Sequence, residues 1–125
     1  MAALLERGDR VLVAQRRADG AHPLKWEFPG GKVEPGEPHL SALVRELREE
    51  LAIQVQSASE VTRYEFQYPG RPPVLLVFYR VNSFTGEPRN LVFERIEWTP
   101  RSHMEEYDFL DGDIDFIATL RTTAQ

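Results

Sequence analysis

Residues 31–53 read GKVEPGEPHLSALVRELREELAI, and the spacing within this stretch decides the fold. Gly31 is followed after five residues by Glu37, and after seven more by Arg45-Glu46-Leu47; then come one residue, Glu49-Glu50, one residue, Ala52 and Ile53. From Leu40 the apolar side chains fall at Leu40, Leu43, Val44, Leu47 and Leu51, the spacing of a helix with one stripe facing a core. With Leu47 at the centre of that stripe and about 100° per residue, Glu46, Glu49 and Glu50 project to its flank and far side, while Arg45 reaches Glu49 at i+4. Three carboxylates can therefore converge without entering the core. An acidic outer face balanced by arginine is also what an ordinary solvated helix carries, and the repulsion, roughly 0.2–0.5 kcal/mol per like-charged pair, is small. The helix alone does not distinguish the two readings; its flanks do.

Upstream, AALLE and RVLVAQR are β-type runs separated by Arg7-Gly8-Asp9 and read as an opening hairpin. Residues 17–27, RADGAHPLKWE, have no period and form a surface loop. In FPGGKVEPGE, Pro29 with Gly30-Gly31 forces one bend and Pro35-Gly36 a second, and Pro38 suits the first helical turn. Downstream, IQVQSA, EVTRYEFQY and VLLVFYRV read as three strands, the last apolar enough to be central, with YPGRPP as a turn and LVFERIEW as a further strand. Ser102 with Glu105 suggests a capping box. Asp111 suggests the cap of a final helix with Ile114, Ile117 and Ala118 on its apolar side. This order predicts an α/β (α+β) domain in which a mixed β-sheet is sandwiched between helices.

A length of 125 residues fits one domain, spanning 1–125, with a single sizeable core. A formal charge of −5 with no basic run offers no footprint for a nucleic-acid polymer, although a small phosphate ester can still bind through a divalent cation. Without cysteine, thiolate catalysis and cysteine-ligated zinc are excluded, so any metal is held by oxygen or imidazole. His22, His39 and His103 show no ligand spacing. No apolar run approaches the roughly 20 residues that span a bilayer, and MAALLERGDR lacks a secretory core, so no membrane association and a cytoplasmic location are expected.

The stretch 31–53 resembles the box of the Nudix hydrolases, GX5EX7REUXEEXGU with U aliphatic; the departure is Ala52 where the family has Gly. That glycine ends the helix in a left-handed conformation, and alanine there costs about 1 kcal/mol. KWEFPGGKVEPGE, Trp98-Thr99-Pro100 and YDFLDGDIDFIATL further resemble the MutT-like branch, which hydrolyses nucleoside triphosphates. The resemblance implies the Nudix fold and a Mg²⁺-dependent (or Mn²⁺-dependent) pyrophosphohydrolase acting on a small-molecule nucleotide as a monomer or homodimer.

By the same resemblance, Glu49 and Glu50 are direct metal ligands, Glu46 is a third ligand or orients the attacking water, and the Gly30 carbonyl is a backbone ligand. A hard cation that prefers oxygen suits this set. Arg45 is an orienting partner for Glu37 or Glu49, and Lys32 a phosphate contact. Glu94, ahead of Glu97, is the candidate for a further catalytic carboxylate, although neither has the commoner spacing to Trp98. The base pocket is assigned to Arg17, Phe28 and Asp113, with Arg71 nearby; either Trp26 or Phe28 can instead pack in the core. An ionised Asp113 only accepts hydrogen bonds, which suits a ring N–H or exocyclic amine and points to oxidised guanine or cytidine nucleotides. Hydrolysis of ADP-ribose or a dinucleoside polyphosphate is the alternative within enzymes. A non-catalytic nucleotide sensor is disfavoured by the presence of Glu37, Glu46, Glu49 and Glu50.

Overall fold

The computed structural model describes residues 1–123, with side chains through Leu120. Among the described residues seven strands and two helices follow in the order β1 (Ala2–Leu4), β2 (Glu6–Arg7), β3 (Arg10–Gln15), β4 (Trp26–Glu27), α1 (His39–Leu51), β5 (Gln54–Phe66), β6 (Val74–Thr85), β7 (Arg95–Pro100) and α2 (Ile114–Thr123). Short 3₁₀ turns at Arg101–Glu106 and Asp111–Asp113 precede α2. One sheet has the order β1-β6-β5, with β1 parallel and β5 antiparallel to β6. In the other, β3 pairs antiparallel with β2, β4 and β7. A bridge between Ala2 and Gly30 joins the two, so the strands form one mixed layer.

That layer is apolar on both faces because the chain alternates between two cores. Ala3, Leu12, Val77 and Tyr79 pack with Leu43, Leu47 and Leu51 of α1. Their neighbours Leu4, Val13 and Phe78 pack on the opposite side with Phe116, Ile117 and Leu120 of α2. Side chains that alternate across a strand can serve two cores only when both faces are covered. The predicted mixed sheet between helices is what this produces.

Several details differ from the sequence reading. The opening hairpin shrinks to Glu6–Arg7 against Arg10–Val11, because Ala2–Leu4 is drawn away to pair with Phe78–Arg80 of β6. Both Ala3 and Leu4 are buried, so a strand with two apolar faces belongs between two cores and not at an edge. IQVQSA and EVTRYEFQY are one strand, β5, interrupted only by register shifts between Val55 and Thr62. Of LVFERIEW, only the part from Arg95 is a strand. The first 3₁₀ turn takes Pro100 as its N-cap, with no side-chain cap bond from that residue, so it begins before Ser102. Asp111 lies inside the second turn, and α2 buries Phe116, Ile117 and Leu120 while Ile114 is exposed. Helix α1 also begins one residue earlier than Leu40, and Leu40 itself is exposed.

The end of α1 follows expectation. Ala52 is left-handed (φ 58°, ψ 32°) and its N–H bonds the Arg48 carbonyl. The next carbonyls of the last turn are taken by the loop after β6: Arg89 N–H donates to Leu51 and Leu91 N–H to Glu50, at 2.8 and 3.1 Å. These bonds satisfy helix-end acceptors that otherwise lack partners.

Candidate active site

Helix α1 is fixed by its buried leucines, so the residues between them face outward along one edge of the mixed layer. Arg45 is the hub of that edge. Its Nε and one terminal nitrogen donate to both Glu37 oxygens at 2.9 and 3.0 Å, and its other terminal nitrogen donates to Glu46 at 2.9 Å. It also donates to the Lys32 carbonyl at 3.2 Å and lies 3.6 Å from Glu49. The two-pronged bond from Arg45, with a further N–H from Glu34, holds the Glu37 carboxyl down at about 2. Arg45 is thus the orienting partner that the sequence reading made it, with Glu37 as its firmest contact and Glu46 added.

The glycine bend explains where the carboxylates stand. Gly30 has φ 153°, and a Cβ there would lie 2.2 Å from the Met1 carbonyl oxygen, so only glycine lets the bend run against β1. Its N–H donates to Glu50 Oε1 at 3.0 Å. At Gly31 a Cβ would fall 2.4 Å from the Glu46 carboxyl; the missing side chain is the space that Glu46 occupies. The three glutamates therefore differ in environment. Glu49 is 56% exposed and Glu46 only 17%, so Glu49 is the one most open to an arriving ion. Burial pushes Glu50 up to about 8, against the Gly30 N–H bond and with help from the charges of Glu46, Glu27 and Glu49.

Among the described residues, no three acidic or histidine side chains form a closed metal cage. The donor set nevertheless fits a hard cation. Glu46, Glu49, Glu50 and the backbone at Gly30 offer only oxygen, and Mg²⁺ keeps several waters and needs one or two carboxylates plus substrate phosphates. A cation beside Glu50 would also offset the burial and like charges that raise its pKa.

From this edge a cleft runs between the glycine bend, the Tyr68 turn and the Asp111–Asp113 turn. Its inner cavity, about 290 Å³, is lined by Glu27, Phe28, Gly30, Lys32, Glu50 and Asp113. An outer cavity of about 610 Å³ shares Arg16, Gly31, Lys32, Tyr68, Leu76 and Leu110 with it. Asp113 is buried, which with the charge of Glu27 raises it to about 7 against an N–H bond from Phe28. Gly30, Lys32, Glu50, Phe28 and Asp113 are therefore brought together.

Other predicted residues stand elsewhere. Arg17 is exposed and pairs with Asp19 at 3.3 Å; Arg16, one residue earlier, lines the cleft and pairs with Glu27 at 3.1 Å. Arg71 lies exposed on the turn, and its carbonyl accepts from Gln67. Glu94 is exposed just before β7 and lines neither cavity, and Glu97 accepts from Tyr107 at 2.8 Å. Trp26 and Phe28, expected on one face, are both buried in the α2-side core. Arg16, Glu27, Tyr68 and Leu110 were not singled out from the sequence. Strand alternation, just past β3 for Arg16 and within β4 for Glu27, was the only signal for the first two, and none marked the others.

The NUDIX domain family matches residues 1–120. The chain belongs to the Nudix family. This Nudix chain is 47% identical over 111 residues to an 8-oxo-dGTP diphosphatase of Haemophilus influenzae, covering 89% of the chain and 81% of that protein. It is 35% identical over 117 residues to a CTP pyrophosphohydrolase of Escherichia coli, covering 94% and 86% respectively. The MutT NUDIX hydrolase of Burkholderia pseudomallei has the same fold, with a TM-score of 0.84 at 24% identity over 94% of this chain and 92% of that one. The fold and the enzyme class expected from the box are thereby established: the protein is a Nudix hydrolase. Among the described residues no helix is long and apolar enough to cross a membrane.

Proposed function

We propose that this Nudix hydrolase cleaves nucleoside triphosphates, with oxidised guanine and cytidine nucleotides as the favoured substrates, to nucleoside monophosphate and pyrophosphate. The observation that carries the reading is that Glu50 and Asp113 line one cavity, with Lys32 between the inner and outer spaces. A carboxylate edge for cation and phosphates and a buried group for a base are thus within reach of a single molecule. The names of the relatives, 8-oxo-dGTP diphosphatase and CTP pyrophosphohydrolase, support both substrate classes.

In this reading Glu46, Glu49, Glu50 and the Gly30 carbonyl hold Mg²⁺ or Mn²⁺, which when bound stabilises phosphoryl charge and makes water more acidic. The oxygen of a water attacks an inner phosphorus, the bond from that phosphorus to the oxygen bridging the α and β phosphates breaks, and nucleoside monophosphate and pyrophosphate separate. The proton lost by the water passes to a carboxylate of this edge. Arg45 keeps Glu46 in place, Lys32 contacts the phosphates, and Asp113 accepts an N–H from the base. A cytoplasmic place of action and work as a monomer or homodimer complete the proposal.

The test is a turnover screen with Mg²⁺ over ordinary, oxidised and methylated nucleoside triphosphates, ADP-ribose and dinucleoside polyphosphates, with products identified by mass. Nucleoside monophosphate and pyrophosphate from a triphosphate are expected. Faster cleavage of ADP-ribose or a dinucleoside polyphosphate would replace the substrate class. Glu49→Gln is expected to cut turnover by at least about a hundredfold, because several kcal/mol of charge stabilisation go with the ion. Full activity in that variant would remove the carboxylate edge from the chemistry.

A further inference from the structure

We propose that Tyr68 is the specificity-determining aromatic residue of this site: its ring supplies the face on which the base lies, and its hydroxyl positions the turn that carries Asp113. The inference rests on the nucleotide reading above and extends it to a residue outside the box.

Phe28 is poorly placed to stack on a base. Its ring is 3% exposed, stacks on Phe109 at 5.5 Å and meets the ring edges of Phe116 and Phe78 at 5.3 and 6.3 Å. Trp26 is likewise buried, against Tyr107. Tyr68, in contrast, is partly exposed and lines both the inner and outer cavities. Leu76 and Leu110 also line both and give an apolar boundary beside it. The ring is held by a T-shaped contact with Phe66 at 4.8 Å and a tilted contact with His22 at 5.1 Å. A held aromatic face costs little further ordering when a flat ligand arrives.

The hydroxyl has a second task. It accepts the Gly112 N–H at 3.1 Å, while Tyr64 donates to the Gly112 carbonyl at 2.6 Å, so two tyrosines grip one residue through the peptide groups on either side of its Cα. A Cβ at Gly112 would lie 2.7 Å from the Tyr68 hydroxyl and 3.0 Å from Leu76, so the glycine is there to admit that contact. Asp113 is the next residue. Ring and carboxylate are thereby set relative to each other through a single hydrogen bond, one for the base's face and the other for its edge.

Two variants separate the two tasks. Tyr68→Leu removes the aromatic face and is expected to raise KM for nucleoside triphosphates about tenfold with kcat within about twofold, the loss of one base stack. Its affinity for ribose 5-phosphate should match the wild-type protein's. Tyr68→Phe keeps the face and is expected to hold KM near the wild-type value while narrowing the discrimination between bases. Wild-type KM in Tyr68→Leu, an equal loss of ribose 5-phosphate binding, or a KM in Tyr68→Phe as high as in the leucine variant would each overturn the assignment. A measurement on the unaltered protein stands beside these should the leucine variant not fold. The ring protons of Tyr68 should shift upfield in NMR spectra when a nucleoside monophosphate is added, and not with ribose 5-phosphate. Turnover in the wild-type protein without that shift removes Tyr68 alone. Absence of turnover with every nucleoside triphosphate removes the underlying reading.

Discussion

Replacing Ala52 with glycine should stabilise this protein and leave its catalysis unchanged. Ala52 ends α1 in the left-handed region at φ 58°, where an L side chain crowds the following carbonyl at a cost of about 1–2 kcal/mol. Its methyl group is exposed, so removing it opens no cavity. Against the relief stands the greater freedom of glycine in the unfolded chain, worth about 0.4–1 kcal/mol. The net gain is on the order of 0.5–1 kcal/mol. For 125 residues at about 2.1 cal/mol/K each, the unfolding entropy is roughly 0.26 kcal/mol/K, and Ala52→Gly should raise Tm by about 2–4 °C. Far-UV circular dichroism melts of the cation-free protein measure this, with kcat and KM as controls, and Ala52→Val should move Tm the other way. A Tm for Ala52→Gly equal to or below that of the parent would show that the loop bonds to the Glu50 and Leu51 carbonyls, and not the left-handed residue, set the helix end.

Gly31→Ala should leave Tm within about 1 °C yet reduce kcat, because the new methyl displaces only the flexible end of Glu46 from its place beside Arg45; unchanged kcat would show that the position of Glu46 is immaterial. In the cation-free protein, Glu50 near 8 and Asp113 near 7 lie above their ordinary values of 4.5 and 3.8. The folded state thus holds more protons than the unfolded one between those limits, so stability should fall as pH rises from about 5.5 to 8. Glu50→Gln and Asp113→Asn should each flatten the slope, and melts that rise across this range would contradict the burial of both groups.

What could be read in the sequence was whatever rests on spacing along one element. The carboxylate edge, the Arg45–Glu37 pair and the left-handed end at Ala52 all lie within or beside one helix, where position in the chain fixes direction in space. The cleft depends on contacts between distant segments, and there the reading slipped. Arg17 and Arg16 are equally basic, and only the pairing of Gln15 with Trp26 and Ala14 with Glu27 places Arg16 inward beside Glu27. Phe28 had the composition of a base platform, but three phenylalanines from β6, α2 and the segment before it claim its ring. Tyr68 sits in a Pro-Gly turn whose partner, Gly112, is 44 residues away, and no local pattern announces such a pair. The opening hairpin failed for a related reason: a short apolar strand pairs where both its faces are wanted, which a nearest-neighbour reading does not register.

Arg45 gives the carboxylate edge a property that the glutamates alone lack. Before any ion arrives, a guanidinium already holds Glu37 and Glu46 and lies beside Glu49. Folding of this helix does not wait on a metal, as it does in domains that collapse around zinc. If the proposed carboxylate edge holds the ion, it can come and go with each substrate while the scaffold persists, and a chelator should silence the enzyme without melting it.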